Sequence, residues 1–294
     1  MSPRYRGRHR RFHRVKDAVR ILLILLLILF AAWGLIEPKL LQVERTTVVC
    51  SDLTSDVGQF RVVYVSDIHM GNWPYLTAND VSGLVTKINE QNADLVILGG
   101  DYATDSDGAI TFFKSVPTIR ATYGVYAVLG DCDRTLPESN LQQLLTVMRT
   151  RSITPIVNEV VSVRIGTQNI YLAGIDDLSA NADIAGVAAQ CKSSDMVIFL
   201  AHQPDAITTA LNTNGKDGKR NWFDVGLFGH SHGGQVNFLG NLIGAPTVEG
   251  SYTSGWYTPN RLSILVSQGV GTVGLPVRLG HYPTLHVITV KSGS

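Results

Sequence analysis

Asp67-Ile68-His69 and His230-Ser231-His232 each place two metal-competent side chains two residues apart, on the same side of an extended chain. Other such groups stand nearby in the sequence in similar company: Asp101 after Gly99-Gly100, Asp131 and Asp133 flanking Cys132 after Gly130, and His202 between Ala201 and Gln203-Pro204. Carboxylate and imidazole together suit a hard-to-borderline divalent cation. Asp67, His69, Asp101, Asp131, His202, His230 and His232 are more ligands than one tetrahedral ion needs. Two ions about 3.5–4 Å apart and sharing one carboxylate would use them all. Such a pair binds a phosphoryl oxygen and lowers the pKa of a bridging water, giving hydroxide for in-line attack on phosphorus.

These residues need elements that bring them together. Each group follows a short apolar run: Val62–Val65, Leu95–Leu98, Val125–Leu129, Met196–Leu200 and Val225–Phe228. Continuous Val/Ile/Leu runs of this length read as strands buried on both faces. Ile170–Ala173, Ile264–Val266 and Leu285–Val290 read the same way, and the β-branched stretch Thr46–Val49 suggests a first strand. Helices are expected over Asn79–Gln91, with Val81, Leu84, Val85 and Ile88 on one face behind an Asn79 cap, and over Ser139–Arg149. A third is expected over Pro204–Leu211, with Pro at the first helical position. Strands alternating with helices predict an α/β layered fold, with ligands bound outside the carboxyl ends of the strands. The last third has Gly-rich turns and few helical patterns, so part of the sheet there is expected to be antiparallel.

Single residues of these types are ordinary in folded proteins; it is the joint placement after strands that is improbable by chance. His9 and His13 belong to a basic tail, and His281 and His286 are expected to be structural or rim residues. Asp176-Asp177 read as positional, and Cys50 and Cys191 as plain. Three Cys exclude a disulfide scaffold.

The net charge of +1 conceals an asymmetry. Residues 1–20 carry eight basic side chains and one acid, a +7 tail, which leaves −6 on the rest. Ile21–Ile36 follows without a charge. With Ala18, Val19 and a snorkelling Arg20 it approaches the ~20 residues that span a bilayer. A single-pass anchor is the reading, with a cleaved signal peptide as its competitor. The expected division is a basic cytoplasmic tail over 1–20, an anchor over 21–36, a connector over 37–59 and a catalytic domain over 60–294. The positive-inside rule puts the N-terminus in the cytoplasm and the domain on the far side of the inner membrane. The acidic balance of that domain argues against a nucleic-acid partner. Nothing in the sequence bears on oligomeric state.

The ordered blocks Asp67-Ile68-His69, Gly100-Asp101, Gly130-Asp131-Cys132-Asp133, His202 and Gly229-His230-Ser231-His232 resemble those of the calcineurin-like metallophosphoesterase superfamily. Softer features resemble its membrane-associated bacterial branch: Gly174-Ile175-Asp176-Asp177, Gly233-Gly234-Gln235, and Gly269-Val270-Gly271 with Leu275-Pro276-Val277-Arg278. The resemblance implies a four-layer fold, a two-sheet β-sandwich flanked by helices, after the N-terminal transmembrane helix. It implies two divalent ions (Mn, Fe or Zn): Asp67, His69 and His232 on the first, Asp131, His202 and His230 on the second, and Asp101 bridging. The family's Asn and His in the third block are Asp131 and Cys132 here. A neutral thiol is a poor acid at pH 7, which favours good leaving groups, as in a pyrophosphate; beside two cations it could become a thiolate. Asp133 is expected to orient residue 132, to hydrogen-bond a ligand His, or to shape the turn. The expected activity is phosphodiester or pyrophosphate hydrolysis, with a lipid or lipid-linked nucleotide among the candidate substrates. A metal-stabilised binding module is the alternative.

Overall fold

The computed structural model describes residues 3–71, 76–135, 138–238, 241–243 and 252–293, and the side chains before residue 16, including His9 and His13, lie outside the described set. In chain order the helix α1 (Pro3–Ile36) leads to β1 (Gln42–Cys50), β2 (Gln59–Val65), α2 (Ala78–Glu90), β3 (Leu95–Leu98), α3 (Ser106–Ser115), β4 (Val125–Ala127), α4 (Glu138–Thr150) and β5 (Ile153–Pro155). Then come β6 (Glu159–Ile165), β7 (Gln168–Gly174), α5 (Ile184–Ala188), β8 (Met196–Leu200), α6 (Ala206–Asn212) and β9 (Val225–Phe228). A small ribbon, β10 (Val236–Phe238) and β11 (Asn241–Ile243), precedes β12 (Gly255–Tyr257), β13 (Ser263–Val266) and β14 (Thr284–Ser292).

Two six-stranded sheets carry the fold, in the orders β1-β14-β2-β3-β4-β5 and β12-β13-β9-β8-β7-β6. The period-2 alternation of strand side chains divides the core into layers. In β2, Val62 and Tyr64 face the second sheet, while Val63 and Val65 face α2, α3 and α4. In β8, Ile198 and Leu200 join the same inter-sheet layer, and Val197 and Phe199 pack against α5, α6 and the Trp222–Phe223 pair. Helices on both outer faces complete the four-layer α/β sandwich. Every one of these side chains is closed to solvent, so truncating Ile198 to Ala costs about 2–5 kcal/mol.

Strands β2, β3 and β4 are mutually parallel, as are β7, β8, β9 and β13, so each sheet gathers its carboxyl ends on one edge. The antiparallel pairing expected late in the chain is β14 against β2 and β12 against β13. Inside the stretch read as a connector, β1 runs parallel to β14 along its whole length, so the sheet starts before residue 60. The first domain helix begins earlier than expected. Thr77, not Asn79, is the cap of α2, because Thr77 and Asp80 form a reciprocal capping box. Helix α6 starts after Pro204, with Ala206 and Ile207 donating to Gln203 O and Pro204 O in a tight turn.

Lys16–Lys39, most of it in α1, is long and apolar enough to cross a membrane, and almost none of its apolar part is buried.

Candidate metal centre

The carboxyl ends of β2, β3, β4, β8 and β9 bring all seven sequence-predicted ligands into one cluster at the edge where the two sheets meet. Asp67, His69 and His232 lie with ligand atoms within 4.8 Å of one another, as do Asp101, Asp131, His202 and His230. Asp101 joins the groups: its Oδ2 is 3.4 Å from His69 Nε2 and 3.3 Å from His202 Nε2. His69 Nε2 and His232 Nε2 stand 3.1 Å apart, and Asp67 Oδ1 is 3.5 Å from His232 Nε2. Ligands at about 2.0–2.2 Å from one ion must lie about 3 Å apart, which these spacings match.

The backbone is bent to make this arrangement. Asp67, His69, Asp101, His230 and His232 all have positive φ, between 48° and 66°. The left-handed region costs a side-chain-bearing residue energy and persists where the surroundings over-determine it. Here backbone ties do so: Asp67 N and His69 N donate to Gly100 O and Asp101 O, each at 3.0 Å. Two glycines are needed for close approach. A Cβ on Gly100 (φ 94°) would come within 2.7 Å of Gly130 N and 2.8 Å of His202 Nδ1, and one on Gly229 within 2.5 Å of Asp67 Oδ2.

Hydrogen bonds fix how the rings point. His202 Nδ1–H donates to Gly99 O at 2.8 Å, which turns Nε2 toward Asp101, Asp131 and Asp67. His202 Nε2 and Asp67 Oδ2 are buried without a hydrogen-bond partner among the described residues. Buried polar atoms are rarely left so, and a cation is what this donor set fits. Burial disfavours the charged form of Asp101 and Asp131, but His202 beside both, with His69 and His230, outweighs it and holds both carboxyls below the usual range. The same carboxylates, Asp101 first, raise His202 well above the ordinary imidazole value against its burial. His232 is pushed down by burial, His69 and Arg278, and so stays neutral, the form that ligates.

Cys132 sits at the rim of this cluster. Its Sγ lies within 4.8 Å of ligand atoms of His69 and Asp101, and its N–H donates to Asp101 Oδ1 at 3.0 Å. Burial and the charges of Asp101, Asp131 and Asp133 push the thiol well above its ordinary range, so without cations it is a neutral thiol. The described contacts of Asp133 fit the turn role. It touches no His: its carboxylate accepts from Gly130 N (2.9 Å), Asp101 N (2.8 Å) and Tyr102 N (3.2 Å). Burial, then Asp101, raises it to about 8. Asp176 pairs with Arg134 at 3.2 Å and Asp177 closes a turn onto Ser179 N, so both are positional. His286, buried, contacts Ser267 Oγ at 3.2 Å. Cys50 and Cys191 are buried free thiols.

Sequence reasoning missed Arg278 and Glu37 as parts of this region. Arg278 is buried behind His232, its Nη2 3.4 Å from His232 Nδ1, and donates to Gly271 O, His281 O and Gln268 O. The Leu275–Arg278 pattern was visible, but a fully buried Arg is too rare to expect from its type.

Comparison with known proteins agrees with this geometry. The family model for calcineurin-like phosphoesterases matches residues 60–234, more than half of the chain. The metallophosphoesterase YkuE of Bacillus subtilis is 28% identical over 263 residues, covering 87% of this chain and 88% of that protein. YkoQ of the same organism is 24% identical over 243 residues, covering 78% and 84%. A transmembrane protein with a metallophosphoesterase domain from Danio rerio is 27% identical over 289 residues, 92% of this chain and 62% of the fish protein. With the family's sandwich fold and all of its metal-competent positions in one cluster, this chain belongs to the calcineurin-like metallophosphoesterases.

Proposed function

We propose that this protein is a membrane-anchored, two-metal phosphoesterase that hydrolyses phosphodiester or pyrophosphate bonds. The observation that carries the reading is the position of Asp101 Oδ2, 3.4 Å from His69 Nε2 and 3.3 Å from His202 Nε2, between two separate sets of ligands. In this reading Asp67, His69 and His232 hold one divalent ion, Asp131, His202 and His230 the other, and Asp101 both. When bound, two such ions (Mn, Fe or Zn) supply charge to neutralise a phosphoryl group and to acidify a water. The chain's own residues position and screen. The positive-φ turns aim the ligands, Asp133 holds the amides under Asp101, and Cys132 lies half-buried at the rim beside His69 and Asp101. The thiol is a poor proton donor, so substrates with good leaving groups are favoured.

The basic tail, residues 1–20, would lie in the cytoplasm, with residues 21–36 as the anchor and the domain outside. The anchor makes a lipid or lipid-linked nucleotide a candidate substrate. A C-terminal phosphatase or fluorescent-protein fusion tests that orientation; fluorescence without phosphatase activity reverses it.

The assay is the full chain in detergent with Mn²⁺ and bis-p-nitrophenyl phosphate. Turnover lost in Asp101→Ala is the expected result. Mn²⁺ binding without turnover on any phosphodiester or pyrophosphate probe would favour the second reading, a metal-stabilised binding module, for which Cys132 in place of an acid–base His is the specific support.

A further inference from the structure

The end of α1 is bonded to the wall of the metal centre. Arg278 N donates to Gly34 O at 3.0 Å, two residues before the anchor ends. Just past the helix, the buried Glu37 accepts from Trp33 Nε1 through one oxygen and from His281 N through the other, both at 2.9 Å. Both contacts fall in the segment 275–281, at Arg278 and at His281. Its other side hangs from the turn that follows His232. There Gln235 donates through Nε2 to Val273 O (3.0 Å) and Leu275 O (2.9 Å) and accepts from Val273 N at 2.7 Å. Asp67 and Glu37 are the acids that favour the charge of buried Arg278, which burial pulls down to about 10.

Depth follows from these bonds. Gly34 lies inside the apolar stretch Lys16–Lys39, and Val277 Cβ is 3.9 Å from where a Gly34 Cβ would be. Three residues of α-helix rise only about 4.5 Å. A bilayer position that covers Leu35 and Ile36 therefore also meets Val277, and Leu275, two residues away in the chain, is 68% exposed. An exposed Leu beside a membrane helix is placed for the headgroup–acyl boundary.

We propose that residues 275–281 form a strap that seats the domain on the lipid surface, with Leu275–Val277 in the leaflet beside Gly34 and Arg278 transmitting the position of the anchor to His232. The inference rests on the reading of α1 as a membrane anchor. Leu275 is then a lipid contact, and Glu37 and Arg278 are positioning residues.

The test uses the full chain in vesicles of phosphatidylcholine and phosphatidylglycerol carrying nitroxide-labelled lipid. Single fluorescent labels go on Leu27→Cys in the anchor, Leu275→Cys in the strap and Val49→Cys near the far end of β1, in a Cys132→Ser background. Quenching at 27 and 275 but not at 49 is the expected result. Quenching at 27 alone overturns the strap while leaving the anchor intact. Quenching at none of the three removes the anchor itself, and the strap with it. A second measurement needs no turnover: Mn²⁺ affinity by electron paramagnetic resonance, with thermal unfolding as the folding control. Glu37→Ala should weaken Mn²⁺ binding about tenfold, the scale at which supports of a ligand His act. Glu37→Gln, which keeps an acceptor for His281 N–H, should recover most of it. Unchanged affinity in Glu37→Ala would sink the link between anchor and centre.

Discussion

Asp67, His69 and His232 are sealed from solvent, whereas the Asp131 side chain is 40% exposed and that of His230 13%. The same ligand chemistry thus occurs twice in two environments. The closed half is backed by Arg278, Gln235 and the strap. The open half is backed by the Gly130–Asp133 turn and by Gly99 O under His202, with Asp131 left at the rim. A half-site with fixed walls holds its geometry without an ion, and one at the rim exchanges its ion and admits substrate. The difference predicts one tight and one labile metal site in one cluster.

The residue that belongs to both halves should show the largest effect. Asp101→Ala removes the shared carboxylate and leaves His69 and His202 facing a gap. Hydrolysis should fall by about 10³-fold or more, and calorimetric titration with Mn²⁺ should lose its two-step form. A variant that keeps two-step binding would separate the halves and break the comparison. Next come the paired variants His232→Ala and His230→Ala. The first opens a hole beside a buried guanidinium and should destabilise the protein by about 2 kcal/mol or more, read from denaturant unfolding. The second, at the rim, should leave unfolding nearly unchanged and remove only the weaker metal step.

Protons sharpen the same contrast. His202 is raised well above its ordinary value by Asp101, Asp131 and Asp67, so near neutral pH an ion entering the open half must expel a proton. Its affinity should therefore rise about tenfold per pH unit until the pH passes the His202 value. His232 is already neutral, and the closed half should show a shallower slope. Metal-free stability runs the opposite way. With its folded pKa above the unfolded one, the ion pairs of His202 contribute fully below about pH 6.5 and are lost as the pH rises through the folded value. Calorimetry in buffers of differing ionisation enthalpy measures both slopes, and equal slopes would contradict the division.

What the sequence made legible follows from burial. β3, β8 and β9 coincide with their apolar runs because both faces of each strand are covered, and the ligands were legible because they follow those runs. α3 was missed because adjacent Phe112 and Phe113 blur the helical period, although both are buried. β6 is an edge strand with mixed exposure, and β5 is three residues long, so neither alternates clearly. Glu37 stood at the start of the connector with no role of its own. Only the tertiary contact with His281 N gives it one, and a contact 244 residues away leaves no local signal.

The smallest effect is expected at Cys132, where the two halves meet the solvent. Its side chain is half-buried and bonds to the Asp101 carboxylate, a contact that Ala loses, but the backbone N–H that donates to Asp101 Oδ1 is a bond that Ala keeps. The thiol is also pushed far above neutral pH by burial and three carboxylates, so in the absence of cations it offers neither a thiolate ligand nor a useful acid. Cys132→Ala should therefore lower kcat by less than about tenfold on a diester with an aryl leaving group, well below the 10²–10⁴ of a working general acid. Cys132→His, which restores the residue type found at this place in the family blocks, should help most on an alkyl ester, whose alkoxide needs a proton. If Cys132→Ala instead falls as far as Asp101→Ala, the thiol has become a ligand of the loaded centre, and the open half is less open than its exposure implies.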